Sequence, residues 1–260
     1  MTDIKILIAA HKPYWMPTDD IYFPIHVGKY GKQDFGLAGD DSGENISSKN
    51  PNYCELTGVY WAWKNLDADY IGLAHYRRHF TMHKLSGSSE TKKKYVLSRG
   101  QLESLLKGAD IIVPNRRNYF IESNYSHYVH AHRQEGLDKV CEIIRRRYPA
   151  CTDACKQVMH RSWAHMFNMF IMKKEYFYQY CAWLFDILSE VEETVDISDY
   201  SASEVRIYGY LSELMLDIWL DANRLKYKEI PAMYMEKRSW VVKGSQFIKR
   251  KFVSNINLMI

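Results

Sequence analysis

The most informative segment of the sequence is Asp69-Tyr70-Ile71-Gly72-Leu73-Ala74-His75-Tyr76-Arg77-Arg78, because in it an apolar run leads directly into a basic loop. The run predicts a buried strand over residues 69–76. Arg77 and Arg78 then lie at or just past the carboxyl end of that strand. In open α/β sheets, this end of the strands is where the ligand crevice forms.

Two earlier segments complete a strand, loop, helix, strand unit. The segment Ile4–Ala10 is apolar and is followed by Pro13, so it predicts a buried first strand. Residues Tyr53–Lys64 place apolar side chains at helical spacing after the start signal Asn50-Pro51-Asn52. This order predicts the α/β class, with a mostly parallel, Rossmann-like central sheet flanked by helices.

The remaining chain continues this alternation. Apolar spacing predicts helices over residues 101–107, 124–147, 176–191 and 205–221, and strands over 110–114 and 165–172. The segment Ser86–Lys94 is rich in Ser and Lys, which predicts a mobile loop.

Length and composition favour one large domain. A chain of 260 residues with 47% hydrophobic content can bury a sizeable core. We expect residues 1–236 to form that domain and residues 237–260 to form a basic, aromatic tail. No early window is typical of a secretion signal and no apolar run is long enough to cross a bilayer. These features predict a cytoplasmic protein whose membrane contact, if any, is peripheral.

Cysteine usage and charge exclude several classes of protein. The five cysteines are odd in number and lack paired C-x-x-C spacing, which argues against a disulfide framework and a structural zinc site. The net charge of +4 is too small and too dispersed to indicate a nucleic-acid-binding protein.

Arg77 and Arg78 are the first candidates for chemistry. Guanidinium groups bind a diphosphate through paired hydrogen bonds and neutralise the charge of a departing nucleotide. The alternative is a cluster of surface salt bridges, which would carry no function.

At four runs the sequence resembles a bacterial family that was first catalogued as a domain of unknown function and whose members are described as capsular or exopolysaccharide glycosyltransferases. The runs are Asn45–Asn50, Tyr53–Asn65, Ile71–Arg78 and His165–Met172. The resemblance extends from about Lys5 to about Met235. It implies a single-domain fold like GT-A, the single-sheet glycosyltransferase fold. It also implies transfer of a hexosyl group from a UDP-sugar to a growing, lipid-linked polysaccharide at the inner face of the membrane. Some relatives are linked with galactofuranose or galactose transfer.

In such a fold the nucleotide-sugar lies along the carboxyl ends of the strands. The residues we expect to bind it are Ala10, His11, Lys12, Asn45, Asn50, Glu55, His75, Tyr76, Arg77 and Arg78. GT-A enzymes usually carry Asp-x-Asp after the strand that follows the first long helix, but this sequence has His75-Tyr76-Arg77-Arg78 there. We therefore expect arginine, rather than a metal ion, to neutralise the diphosphate. The alternative is that Asp40 and Asp41 bind Mn²⁺ or Mg²⁺. These two residues could instead belong to a solvated acidic loop that binds no metal.

Inverting transfer needs a group that removes a proton from the acceptor hydroxyl. The candidates are Glu204, Glu213 and His165, with Glu204 favoured because it begins a late helix. Glu204 also lies three residues after Ser201, which is the spacing of a capping box without catalytic meaning.

Acceptor binding is the last expectation. His130, His132 and Asn168 are candidates for contacts with the acceptor sugar, and the basic, aromatic residues of the tail suit an anionic membrane surface. Two other classes of function stay open. One is a non-catalytic domain that binds nucleotide-sugars or carbohydrates, and the other is a nucleotide-sugar hydrolase.

Overall fold

A computed structural model describes residues 1–236 of the chain, and the expected tail over 237–260 lies outside them. Within that range the strands are β1 Ile4–Ala10, β2 Tyr22–His26, β3 Ala38–Gly39, β4 Tyr70–His75, β5 Arg78–Phe80, β6 Ile111–Pro114, β7 Arg117–Asn118, β8 Trp163–Ala164, β9 Phe170–Lys173, β10 Lys228–Ile230 and β11 Ala232–Tyr234. The α-helices are α1 Asn50–Tyr53, α2 Leu56–Asn65, α3 Ser89–Lys93, α4 Arg99–Leu106, α5 Asn124–Val129, α6 Glu135–Arg147, α7 Thr152–His160, α8 Lys174–Thr194 and α9 Ile207–Ala222. A 3₁₀ turn over Glu204–Arg206 leads into α9.

The central sheet has the strand order β10-β6-β9-β4-β1-β2-β3. Strand β1 pairs in parallel with β2 and β4, and β6 pairs in parallel with β10. Strand β9 runs antiparallel between β4 and β6. The predicted α/β class with a mostly parallel sheet is therefore confirmed, with β9 as the reversed strand.

Both faces of the sheet are buried, as is usual for parallel strands. One face packs Leu7, Leu73 and Val113 against helices that include α2, α8 and α9. The other face packs Ile6 and Ile8 against Leu102 of α4. Alternate residues of β1 thus enter two separate cores, which explains why its sequence is apolar at every position except Lys5.

Gly72 lets β4 and β9 approach closely. A Cβ atom at this position would lie 2.8 Å from the carbonyl oxygen of Phe170 on β9. A larger residue here would push apart the two strands whose ends carry the Arg77–Arg78 turn and the Phe167–Asn168 turn.

Three sequence predictions need correction. The strand predicted over 165–172 begins only at Phe170, because Phe167 and Asn168 have positive φ angles of 81° and 54° and interrupt extended pairing. The helix predicted over 124–147 is two helices, and Arg133 in the break turns to pair with Asp199 and Glu204. The loop predicted over 86–94 contains α3, whose first turn is capped by the Ser88 hydroxyl.

Candidate functional site

A pocket of about 1160 Å³ opens at the carboxyl ends of β1, β2 and β4. This is the edge of the sheet where α/β proteins bind ligands. The first half of its lining is Ala9, His11, Val27, Asn50, Pro51, Cys54, Glu55, His75, Tyr76, Arg77 and Arg78. The second half is Ala202, Val205, Arg206, Gly209, Tyr210, Glu213, Tyr234 and Glu236.

The turn between β4 and β5 brings Arg77 and Arg78 into this pocket. The Arg77 guanidinium pairs with Glu236 at 3.2 Å and is largely exposed. The Arg78 guanidinium lies over the rings of Phe167 and Tyr234, at 4.6 and 5.1 Å from their centroids. No carboxylate of residues 1–236 forms an ion pair with Arg78. Its charge therefore faces the pocket without a direct ion pair from this part of the chain, although it acts electrostatically on Glu213.

Arg206 adds a third guanidinium from the opposite wall. Its Nε donates to the Cys54 sulfur at 3.2 Å, and its guanidinium lies 5.5 Å from the centroid of the Tyr210 ring. It arises from the 3₁₀ turn before α9, more than 120 residues after Arg78. The three arginines surround one space, as expected of a site that binds a multiply charged anion.

Glu213 projects from α9 into the same pocket. Burial, and after it the nearby Glu55 carboxylate, raise the pKa of its carboxyl group to about 7. Arg78 and a backbone hydrogen bond from Phe167 act in the opposite direction. A carboxyl group with a pKa close to 7 exchanges protons readily at neutral pH, which suits a general base.

Glu55 follows the short helix α1, and a buried side chain positions its carboxylate. One of its oxygens accepts a hydrogen bond of 2.8 Å from Asn168 Nδ2. Asn50, one turn earlier, donates through Nδ2 to the Cys54 carbonyl at 2.7 Å and so ties α1 to α2. The structure thus brings both predicted residues to the pocket wall.

Two histidines, His75 and His11, line the pocket together with Tyr76. His75 Nε2 donates a hydrogen bond of 2.6 Å to the Phe167 carbonyl oxygen. Burial lowers the pKa of the His75 imidazole. The His11 ring meets Tyr76 edge to face at 5.2 Å between centroids. Burial, followed by the charges of Lys12 and Arg77, lowers the pKa of His11. Neutral imidazoles can therefore line the pocket at neutral pH.

Some residues expected at the nucleotide are not part of the lining. Ala10 is fully buried in the core, and Ala9 lines the pocket instead. Lys12 lies outside, with its ammonium 5.9 Å from the Tyr76 centroid. Asn45 accepts from the Ser47 amide at 3.1 Å and so closes a local turn.

The alternative metal site is not supported by the positions of its residues. Asp40 is fully buried, and its oxygens accept from the amides of Gly28 and Lys29 and from the Ser47 hydroxyl. Asp41 lies exposed beside it. Over residues 1–236 no group of three or more His, Cys, Asp or Glu side chains is arranged to hold a metal ion. Asp40 is a structural residue of its loop.

Two candidate bases lie elsewhere. Glu204 forms the capping arrangement, in which Ser201 N–H donates to its carboxylate at 3.0 Å, and it also pairs with Arg133. These contacts, first those from Ser201 and then the charge of Arg133, lower its pKa to about 2. His165 is fully buried, and its Nδ1 bonds to Asp217 at 2.5 Å. Neither side chain lines the pocket.

The expected acceptor residues are also dispersed. His130 is exposed and shares the carboxylate of Glu122 with His127. His132 stacks on Tyr210 at 4.0 Å between centroids, so it supports the pocket wall from outside. Asn168 is 2% exposed and lies beneath the pocket floor.

Several lining residues escape sequence reasoning. Cys54, Arg206, Tyr210, Tyr234 and Glu236 reach the pocket only through the folding of distant segments. Arg206 had a signal, since it stands seven residues, about two helical turns, before Glu213 in the same run. Nothing in the local sequence marks Tyr234 or Glu236.

The fold is that of a glycosyltransferase-like α/β protein. The apo structure of the bifunctional glycosyltransferase WbbM is similar, with a TM-score of 0.83 and 32% sequence identity over 90% of this chain and 46% of that one. The chain belongs to the family described as domain of unknown function DUF4422, whose profile matches residues 5–224. The family resemblance is thus confirmed. The chain spans less than half the length of WbbM.

Two further findings concern the curated proteins and the helices. None of the curated proteins matches the chain. Among the helices of residues 1–236, none is long and apolar enough to cross a membrane.

Proposed function

We propose that this protein is a glycosyltransferase that moves a hexosyl group from a UDP-sugar to a growing surface polysaccharide. The observation that carries the proposal is the meeting of Arg77, Arg78 and Arg206 with the carboxyl group of Glu213 in one pocket. A nucleotide-sugar needs cationic groups for its diphosphate, and sugar transfer needs a proton acceptor. The similarity to one half of a bifunctional glycosyltransferase supports the same conclusion.

The proposed reaction uses the two walls of the pocket. Arg78 and Arg206 hold the diphosphate from opposite sides, with Arg77 at the rim. Glu213, as its carboxylate, takes the proton of the acceptor hydroxyl while that oxygen bonds to the anomeric carbon. The bond from this carbon to the diphosphate breaks, and UDP leaves with the electron pair. The arginines then neutralise the charge that develops on the leaving group.

We propose that this neutralisation needs no metal ion, because the cationic groups already present match the charge of a diphosphate. Arg78 is the principal contact in this scheme. Its guanidinium is positioned by two aromatic rings and has no ion pair with residues 1–236, whereas Arg77 already pairs with Glu236.

Calorimetric titration of UDP into the purified protein, first in EDTA and then in Mn²⁺, tests this proposal. We expect binding in EDTA, and we expect Arg78→Ala to weaken it roughly 10- to 150-fold, the equivalent of about 1.5–3 kcal/mol for hydrogen bonds to a charged group. Arg145→Ala, which removes an exposed arginine of α6, is the matched control and should bind UDP like the wild type. Binding that appears only with Mn²⁺ would refute the metal-free scheme, and no binding in either buffer would refute the nucleotide-sugar proposal.

Two other functions would give different results with the same protein. A non-catalytic binding domain would bind a UDP-sugar without turnover. A hydrolase would release UDP from it at full rate without an acceptor. The raised pKa of Glu213 favours a catalytic role over binding alone, and the similarity to the glycosyltransferase WbbM favours transfer over hydrolysis.

The acceptor proposal is a lipid-linked glycan reached at the inner face of the membrane, with galactofuranose or galactose as the transferred sugar. Basic and aromatic residues in the segment 237–260, among them Lys249, Arg250 and Phe252, support peripheral contact with anionic lipid. Sedimentation with anionic and neutral vesicles tests this peripheral contact. Equal binding to both, or to neither, would contradict it.

A further inference from the structure

The turn formed by Phe167 and Asn168 lies directly under the pocket. Both residues have left-handed backbone conformations, with φ angles of 81° and 54°, although neither is glycine. For Phe167 in particular this conformation is unfavourable. Strained backbone of this kind persists where surrounding contacts enforce it, and it is concentrated at functional sites. Cys54 in the pocket wall, with a φ of 52°, is a second example in the same place.

The Asn168 side chain is fixed from both ends. Its Nδ2 donates to Glu55 at 2.8 Å and to the Gly209 carbonyl at 3.0 Å. Its Oδ1 accepts from the Ser212 hydroxyl at 2.9 Å. With 2% of its surface exposed, the side chain cannot act as a surface contact for an acceptor sugar. It instead connects α9 to Glu55 through the interior.

The neighbouring residue Phe167 holds two other groups of the same site. Its carbonyl oxygen shares a 2.6 Å hydrogen bond with His75 Nε2. Its backbone also bonds to the Glu213 carboxyl group. One strained turn therefore contacts Glu55, His75 and Glu213, which come from three different segments of the chain.

We propose that Asn168 is a positioning residue, which holds the Glu55 carboxylate in the pocket beside Glu213 and so sets the environment of the proton acceptor. This inference rests on the proposed function of Glu213, but it concerns a residue that does not touch the substrate. The left-handed backbone of Phe167 and Asn168 orients the Asn168 side-chain amide toward Glu55.

The electrostatic consequence follows from the groups that face Glu213. The Glu55 carboxylate raises the pKa of Glu213, after burial the largest contribution, whereas Arg78, the Phe167 backbone and Arg117 lower it. Four weakly acidic groups also lie near: Cys54, Tyr119, Tyr128 and Tyr210. If Glu55 is released and moves away, the pKa of Glu213 must fall. If a further negative charge is placed beside Glu55, it must rise.

Two variants of Asn168 separate these effects from a purely structural one. Asn168→Gly tolerates the positive φ and removes the amide that holds Glu55. Asn168→Asp keeps the shape and replaces the amide donor with a second carboxylate. Ser212→Ala is the matched control, because it removes the bond to Oδ1 and leaves the donor to Glu55 in place.

The measurement is the titration of Glu213 followed by carbon NMR of protein labelled at the glutamate carboxyl carbon, with the signal assigned from its loss in Glu213→Gln. We expect the midpoint to move to lower pH in Asn168→Gly and to higher pH in Asn168→Asp, and to stay in place in Ser212→Ala. The acidic limb of the transfer rate should move in the same directions. An unchanged midpoint in both Asn168 variants, or a shift in the same direction in both, would overturn the proposal. Because the titration needs no substrate, it gives a result even if the protein proves not to be a transferase. The absence of turnover with every UDP-sugar would refute the proposed function alone.

Discussion

Glu213→Gln should lower the turnover number for sugar transfer by about 10²- to 10⁴-fold, the usual contribution of a positioned general base. Glutamine has the shape of glutamate but cannot accept the proton of the acceptor hydroxyl. UDP binding, measured by calorimetry, should be retained because the arginines proposed to bind the diphosphate are untouched. Loss of turnover with retained binding is the signature of an interaction that acts only in the transition state.

Glu204→Gln is the control for this prediction. Glu204 is also a glutamate near the start of α9, but its contacts lower its pKa to about 2 and it lies outside the pocket lining. A carboxylate with so low a pKa is a weak base at neutral pH. We therefore expect near wild-type turnover in Glu204→Gln. If this variant is inactive and Glu213→Gln is active, the assignment of the base is wrong.

The pH dependence of the wild-type enzyme follows from the same pKa. Glu213 must be deprotonated to act as a base, so the rate should rise with pH through about 7 and then level off. Because folding raises the pKa of this carboxyl group from 4.5 to about 7, its contribution to stability is fully present below pH 4.5 and is lost as the pH rises to about 7. Glu213→Gln should therefore match the wild type in melting temperature at pH 4 and exceed it at pH 8. Differential scanning calorimetry at the two values checks this, and a lower melting temperature at pH 8 would contradict it.

The strands and helices were predictable because their apolar residues recur with the spacing at which each element buries its side chains. Strand β1 alternates between two apolar cores, so every position except Lys5 is hydrophobic and the segment is easily recognised. The Arg77–Arg78 turn was predictable for the same reason, since a strand end marks the ligand edge of a parallel sheet. Asn168 was expected to contact the acceptor sugar, whereas the structure buries its side chain against Glu55 and Gly209. This placement depends on two left-handed residues that no apolar pattern encodes.

What could not be predicted are the contacts between distant segments. Arg206 and Glu213 reach the pocket because α9 crosses under α1, and this depends on packing such as that of Gly209 against Cys54. Asp40 and His165 have residue types that suggest chemistry, but the structure surrounds each with hydrogen-bond partners in the interior. Their residue types alone carry no information about those partners, so the sequence could not indicate that both side chains lie in the interior, outside the pocket lining.

Asp217→Ala should reduce the free energy of unfolding by about 3–5 kcal/mol, the usual loss when one partner of a buried ionic network is removed. Asp217 is 1% exposed. It accepts from the His165 amide at 2.9 Å and from His165 Nδ1 at 2.5 Å, and it pairs with Arg161 at 2.9 Å. Its removal leaves two buried donors of His165 without an acceptor and leaves Arg161 with Asp221 as its remaining ion-pair partner. Each buried unsatisfied donor costs about 1–3 kcal/mol.

Thermal and urea unfolding measure this loss, which in a domain of this size corresponds to a fall in melting temperature of roughly 10 °C. Asp67→Ala is the control, because it removes an aspartate whose partner, Lys174, is bound at the surface with the carboxylate 85% exposed. Surface pairs contribute about 0–1 kcal/mol, so this variant should unfold almost like the wild type. UDP binding at a temperature where both variants are folded should be normal, since neither side chain lines the pocket. A loss below about 1 kcal/mol in Asp217→Ala would mean that the interior relaxes around His165, and that the network is not a main source of the stability of α9.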